Sequence, residues 1–282
     1  MASVVVFIGM IFVVAPSWPQ EAAKSSLIDF RDSQALKNRP PILIAHRGGV
    51  ITPETPECSL AAIRLARQQG FDMVELDIQP SRDQVPVVFH DPNLQKACGM
   101  EMRIQGLKAD EIKSIQYSNS RESIVTLDQA LHECASLQLG VMLDIKTLVD
   151  EEYYHQIAAL IRKHKLEHAA MTITGDSTAK ASLSEVMLTG VNSQDFKKVQ
   201  QEIPIDLQGR FWFGLPQNLP SGMVKKLQDA DALVIPAINT FRYPAGNHFE
   251  LARRDVERLN QAGVNGYQID SVYLPLFLPL DN

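Results

Sequence analysis

Two stretches of the chain end an apolar run in a histidine. Ile42-Leu43-Ile44-Ala45 runs into His46-Arg47-Gly48-Gly49, and Val87-Val88-Phe89 runs into His90-Asp91. Imidazole takes and gives protons near neutral pH, so two such groups can serve as a general acid and a general base. Between them lies Met73-Val74-Glu75-Leu76-Asp77-Ile78. Strand alternation puts Glu75 and Asp77 on one face and Val74, Leu76 and Ile78 on the other. Carboxylates side by side repel, and burying them unpaired is costly, so a cation is expected between them. All-oxygen donors favour a hard divalent ion, Ca²⁺ or Mg²⁺, over zinc. Val141-Met142-Leu143-Asp144-Ile145-Lys146 repeats the pattern. It brings a third carboxylate and, on the same face, a lysine suited to a phosphate oxygen.

Each of these features has an ordinary explanation taken alone. A strand-end His-Arg is often a surface pair, and Glu-x-Asp or Asp-x-Lys often faces water on an edge strand. Their convergence argues otherwise, because four separate apolar runs each release ionisable groups at the same end. Positioning them needs parallel strands whose carboxyl ends meet. Short apolar runs do alternate with amphipathic segments to the end of the chain. Candidate strands are 42–45, 73–78, 85–89, 141–145, 171–174, 186–189, 209–213, 233–238 and 266–269. Helical spacing marks 59–69, 153–164, 194–201, 223–228 and 252–262, the last stopping at Gly263 as a helix C-cap would. This pattern predicts an α/β protein, a single-domain (β/α)₈ TIM barrel, with a doubly wound open sheet as the alternative. Nine candidates is one too many for the barrel, and 85–89 pairing with the strand before it would resolve the excess. Residues 93–123 interrupt the alternation and read as an excursion between elements, placed to cover the site.

These motifs resemble the glycerophosphodiester phosphodiesterase family. The matching stretches are His46-Arg47-Gly48-Gly49, Pro56-Glu57-Cys58-Ser59-Leu60-Ala61-Ala62, Glu75-Leu76-Asp77, Pro86 to Asp91, Thr126-Leu127 before a helix, Asp144-Ile145-Lys146, and Asp270 ending the last strand. The resemblance implies a metal-dependent barrel that hydrolyses glycerophosphodiesters, small-molecule substrates, to glycerol phosphate and an alcohol. It makes His46 and His90 the catalytic acid and base. It assigns Arg47 and Lys146 to the phosphate, Glu75, Asp77 and Asp144 to the metal, and Glu57 to contacting the metal or orienting Arg47. The sequence departs from the family at Cys58 (usually Asn), Gln84 (often Gly) and Asp144 (usually Glu). Pro236 and Ala237 stand where an aromatic wall is usual. Asp144-Ile145-Lys146-Thr147 also resembles lyase-type phospholipase D relatives of the sphingomyelinase D kind, which keeps that activity as the alternative.

The 282 residues carry 27 basic and 33 acidic side chains, a net charge of −6, which offers no general field for a nucleic-acid backbone. Three cysteines exclude a disulfide scaffold and leave one bridge or three thiols open. The apolar run Val4–Ala15 is too short for an ordinary span and fits the core of an export signal. The chain therefore divides into 1–24, a signal peptide or N-terminal anchor, and 25–282, the barrel. Export to a periplasm or out of the cell is expected, with membrane contact only through that segment. Among Trp212, Phe213, Phe241 and Tyr243, core packing is expected for most, and Tyr243 is the best placed to touch a substrate. His132, His155, His164 and His168 read as surface residues.

Overall fold

The structure, a computed structural model, describes residues 26–278 except 53 and 148. The expected export segment, 1–24, lies outside the described residues. Among the described residues there are ten strands: β1 (Ile42–Ala45), β2 (Met73–Pro80), β3 (Pro86–Val88), β4 (Val125–Thr126), β5 (Gly140–Ile145), β6 (Ala170–Ile173), β7 (Leu188–Gly190), β8 (Arg210–Gly214), β9 (Leu233–Ile238) and β10 (Gly266–Ile269). Eight of them form a parallel sheet in the order β1-β10-β9-β8-β7-β6-β5-β2, and β1 pairs with β2 to close it. The fold is the (β/α)₈ barrel that the alternation predicts.

The excess strand is accounted for. β3 runs antiparallel to β2, with Ile78 opposite Val88, and so forms a hairpin outside the closed ring. β4 pairs antiparallel with β3, and at two residues it is too short to leave a periodic signal. The turn after Asp83 needs a left-handed residue, and Gln84 supplies it at φ 59°. Residues 93–123 lie between β3 and β4 and have a small core of their own. Phe89, Leu94, Ile104, Ile112, Tyr117 and Ile124 are buried together, apart from the main core.

Local chemistry sets the helix starts. Ser59 caps the helix Leu60–Gln68 by accepting from the Ala62 N–H at 3.1 Å. Asp150 caps Glu151–Lys163, which has Glu151 and Glu152 in its first turn and Arg162 and Lys163 in its last, as the helix dipole favours. The long helix His248–Ala262 begins four residues before the apolar spacing does and stops at Gly263. The helix Leu127–Ser136 opens on a capping box of Thr126 and Gln129. All three cysteines are free thiols, with Cys58 and Cys134 buried. His164 departs from the expected surface role: its side chain is nearly buried, and Nε2 meets Asp128 Oδ1 at 2.7 Å. Among the described residues no helix is long and apolar enough to cross a membrane.

Candidate active site

The carboxyl ends of β1, β2, β5 and β10, with the turn after β3, bring the ionisable residues together. The parallel register of β2 and β5 sets Asp77 beside Asp144. Glu75, Asp77 and Asp144 each offer an oxygen, and these oxygens lie within 4.8 Å of one another. Glu75 and Asp77 are each only 1% exposed. Burial, and then the neighbouring Asp77 charge, push the Glu75 carboxyl well above its ordinary range, against the pull of the Arg47 N–H. Burial likewise raises Asp144, opposed by Lys146. The Lys146 ammonium lies 2.9 Å from Asp77 Oδ1 and 2.6 Å from Asp144 Oδ2. Burial would lower its pKa, but those two carboxylates hold it above the ordinary value. Three clustered carboxylates served by one lysine and otherwise only by neutral donors, the Arg47 N–H and the Cys58 thiol, are short of positive charge. This all-oxygen set therefore fits a hard divalent cation.

The turn after β1 is shaped by close approach. Arg47 adopts φ 54°, and Gly48 and Gly49 follow at 81° and 141°. A Cβ on Gly48 would stand 2.7 Å from the Cys58 Cα, and one on Gly49 2.2 Å from the Ala62 carbonyl oxygen. Only glycine fits at either place. This tight seat directs the Arg47 N–H to Glu75 Oε2 at 2.8 Å, and an Arg47 Nη to Glu57 Oε2 at 2.9 Å. Burial lowers the Arg47 pKa, and the ion pair with Glu57 outweighs it. Cys58 is also left-handed, at φ 62°, and its thiol donates to Asp77 Oδ2 across 3.7 Å. Burial and then Asp77 raise that thiol far above its usual pKa, so it stays neutral.

Each strand-end histidine has its own aspartate. His46 Nδ1 lies 2.6 Å from Asp270 Oδ1, and His90 Nδ1 lies 2.7 Å from Asp91 Oδ1. A ring that gives its Nδ1 proton to a carboxylate keeps Nε2 for reaction. Asp270 Oδ2 accepts in addition from the Thr240 N–H at 2.6 Å and from the Thr240 hydroxyl at 2.7 Å. Burial pushes the Asp270 carboxyl up, but the His46 bond and charge and the Thr240 donors hold it below its usual value. Glu57, His90 and Asp91 also offer ligand atoms within 4.8 Å of one another, so Glu57 stands between Arg47 and His90.

All eight residues singled out in the sequence therefore gather at this end of the barrel. Sequence reasoning named Asp91 in its motif without giving it a role, and passed over Gln79 and Thr240. Gln79 is buried and its amide N–H groups reach the carbonyls of Phe89 at 2.7 Å, His90 at 3.2 Å and Asp91 at 2.8 Å, which holds the His90 turn. The signal was available, since Gln79 continues the alternation of Glu75 and Asp77. Tyr243 is not the aromatic at the site. Its hydroxyl donates to Asp255 at 3.0 Å and its ring packs edge-on against Tyr273. Phe241 takes that place instead, 60% exposed and with its ring centroid 6.2 Å from that of His46.

Comparison with known proteins bears on the family and the fold. Residues 46–268 match the Glycerophosphoryl diester phosphodiesterase family. The human protein Glycerophosphodiester phosphodiesterase 1 is 37% identical over 125 residues, which is 41% of this chain and 37% of that protein. The match thus spans well under half of that relative's length. A solved glycerophosphoryl diester phosphodiesterase from Parabacteroides distasonis superposes with a TM-score of 0.67 at 15% identity, covering 91% of this chain and 95% of that one. A glycerophosphodiester phosphodiesterase from Agrobacterium tumefaciens gives 0.63 at 17% identity, covering 85% and 100%. At those identities the likeness is one of fold.

Proposed function

The chain belongs to the glycerophosphoryl diester phosphodiesterase family, and on that premise we propose that it is a phosphoric diester hydrolase cleaving glycerophosphodiesters to glycerol phosphate and an alcohol. The observation that carries the reading is the pairing of two aspartate-oriented histidines, His46 and His90, with the carboxylate cluster Glu75, Asp77 and Asp144. A phosphodiester anion repels nucleophiles, so its charge must be neutralised first. Arg47 and Lys146 supply two fixed positive charges. Glu75, Asp77 and Asp144 would hold a divalent ion, Ca²⁺ or Mg²⁺, which when bound adds Lewis-acid neutralisation of the phosphate.

Proton movement falls to the histidines. One Nε2 accepts a proton as the attacking oxygen, from water or from the substrate's own glycerol hydroxyl, forms its bond to phosphorus. The other donates a proton to the alkoxide as the phosphorus–oxygen bond to the alcohol breaks. If the glycerol hydroxyl attacks, water opens the resulting cyclic phosphate with the two roles exchanged. Asp91 and Asp270 keep both rings oriented throughout, and Glu57 holds the Arg47 guanidinium.

The lyase-type alternative drew on Asp144-Ile145-Lys146-Thr147. In the structure Lys146 pairs with two carboxylates and the Thr147 hydroxyl meets the Gln105 amide at 3.4 Å. The family match over 46–268 favours hydrolysis. The deciding experiment is a ³¹P NMR time course with divalent metal on glycerophosphocholine, glycerophosphoinositol and a lysophospholipid. A growing glycerol phosphate monoester signal is expected. A cyclic phosphate that persists and arises only from the lysophospholipid would overturn the reading. We propose export as well, supported by the Val4–Ala15 run; N-terminal sequencing of the native protein tests it, and an intact Met1 would count against cleavage.

A further inference from the structure

We propose that Phe241 and Arg242 select the alcohol half of the substrate by charge, admitting an uncharged polyol or an anionic head group and disfavouring a quaternary ammonium. This rests on the phosphodiesterase reading and deepens it. The pair lies on the short turn Thr240–Arg242 that follows β9, and Thr240 anchors the turn to Asp270, the partner of His46. Phe241 therefore stands beside a catalytic imidazole, with its ring tilted 33° to that of His46.

An exposed aromatic face next to a phosphate site is ordinarily a good seat for choline, because the ring quadrupole attracts a cation. Here that attraction is already engaged. The Arg242 guanidinium sits over the Phe241 ring, 4.2 Å from its centroid. Among the described residues no carboxylate forms an ion pair with Arg242, and its side chain is exposed at the rim. A second cation arriving at the ring would meet a like charge. A polyol would meet guanidinium N–H donors, and an anionic head group would meet a partner.

The head group, not the glycerol, is placed here by the openness of this rim. Thr240, Phe241 and Arg242 are exposed, and so are residues 244–247 beyond them, which leaves room for a substituent of any size. The turn carrying His90, by contrast, is held by Gln79 and backed by a buried cluster drawn from residues 87–124.

The test compares kcat/KM for glycerophosphocholine and glycerophosphoinositol in the full chain and in Arg242→Gln and Phe241→Leu variants, at low and high salt. Two unit charges held about 8 Å apart in a half-solvated rim set the scale at about fivefold. The unmodified protein is expected to favour the inositol diester by at least about that factor. Arg242→Gln should lower the inositol-to-choline ratio about fivefold, mainly through faster choline turnover, and high salt should shrink the difference. Phe241→Leu should weaken both substrates and leave the ratio in favour of inositol. A preference for the choline diester, or an Arg242→Gln ratio equal to that of the unmodified protein, would overturn the inference while leaving the activity intact. No turnover of either diester would overturn the phosphodiesterase reading itself, and this inference with it.

Discussion

His46 Nδ1 and Asp270 Oδ1 meet at 2.6 Å although 224 residues separate them in the chain. The contact exists because β1 hydrogen-bonds to β10, which lines Ala45 up with Ile269 and sets the next residue of each strand side by side. Closing the barrel and completing the His46 site are thus one event. Replacing Asp270 with Asn keeps the shape but removes the charge that holds Nδ1–H toward it. The expected outcome is a kcat at least about tenfold lower with KM little changed, measured by steady-state kinetics. Stability gives a second readout. The folded carboxyl lies below its ordinary 3.8, so its contribution is fully present above that pH and is lost as pH falls through the lower folded value. The melting-temperature advantage over Asp270→Asn should therefore be level near neutral pH and shrink only below about pH 4.

The two histidines should be individually necessary. His46→Ala and His90→Ala are each expected to lower kcat by at least about a hundredfold, and the double variant should lose much less than the product of the two. Groups that act in one proton-transfer sequence fail together. A single variant with a near-normal rate would remove that histidine from the mechanism. Product formation followed by ³¹P NMR makes the comparison on one scale.

Glu75 and Asp77 are buried with Asp144 against a single lysine. A divalent ion that binds this folded cluster must stabilise the protein, by about 2.7 kcal/mol when its concentration is a hundred times Kd. Adding Ca²⁺ or Mg²⁺ to chelator-treated protein should raise Tm measurably, and Asp77→Asn should abolish the rise. Excess EDTA should stop turnover, and the effective ion should restore it. An unchanged Tm together with full activity in EDTA would remove the metal from the site.

The sequence made the site legible wherever the chemistry followed strand alternation. Glu75 and Asp77, Asp144 and Lys146, and the His46 and His90 strand ends could all be read from period-two patterns with a polar exit. The barrel was legible for the same reason, because parallel strands buried on both faces leave continuous apolar runs. What escaped was set by long-range pairing. β4 is two residues long, so no periodicity survives in it. Phe241 and Tyr243 sit two positions apart in one loop, and nothing local indicates which one turns toward His46. Tertiary contacts decide it: Asp255 and Tyr273 hold Tyr243, which leaves Phe241 at the mouth. Asp91 was in plain view next to His90, but its role depends on a side-chain rotamer that sequence does not record.

Gly49 offers a test of the turn that carries Arg47. Its φ of 141° is open to glycine and strained for any other residue, and an added Cβ would lie 2.2 Å from the Ala62 carbonyl oxygen. That oxygen already accepts the Val50 N–H at 3.2 Å, so the helix cannot move away without loss. Gly49→Ala is expected to cost at least about 2 kcal/mol in chemical denaturation. Because Arg47 is displaced with the turn, KM for the diester should also rise. A variant as stable as the parent would mean that the turn is looser than its contacts indicate.

Gln79 tests whether the His90 turn is held from below. The two amide N–H bonds of this buried side chain are shared among the carbonyls of Phe89, His90 and Asp91. Leucine has nearly the same volume and no donor, so Gln79→Leu leaves those carbonyls without their partner at little packing cost. The stability loss should be about 1–3 kcal/mol, the range for leaving a buried polar group unsatisfied. Catalysis should suffer more than binding. The His90 ring would lose its fixed relation to the carboxylate cluster, while Arg47 and Lys146 would keep their places. The expected signature is a kcat lowered by about tenfold or more with KM within about twofold. Gln79→Glu is the informative companion, because it keeps the length of the side chain and places an acceptor, or a charge, against three carbonyl oxygens. It should be the more damaging of the two in both stability and kcat. Equal behaviour of the two variants would show that the amide only fills space and that the turn holds His90 without it.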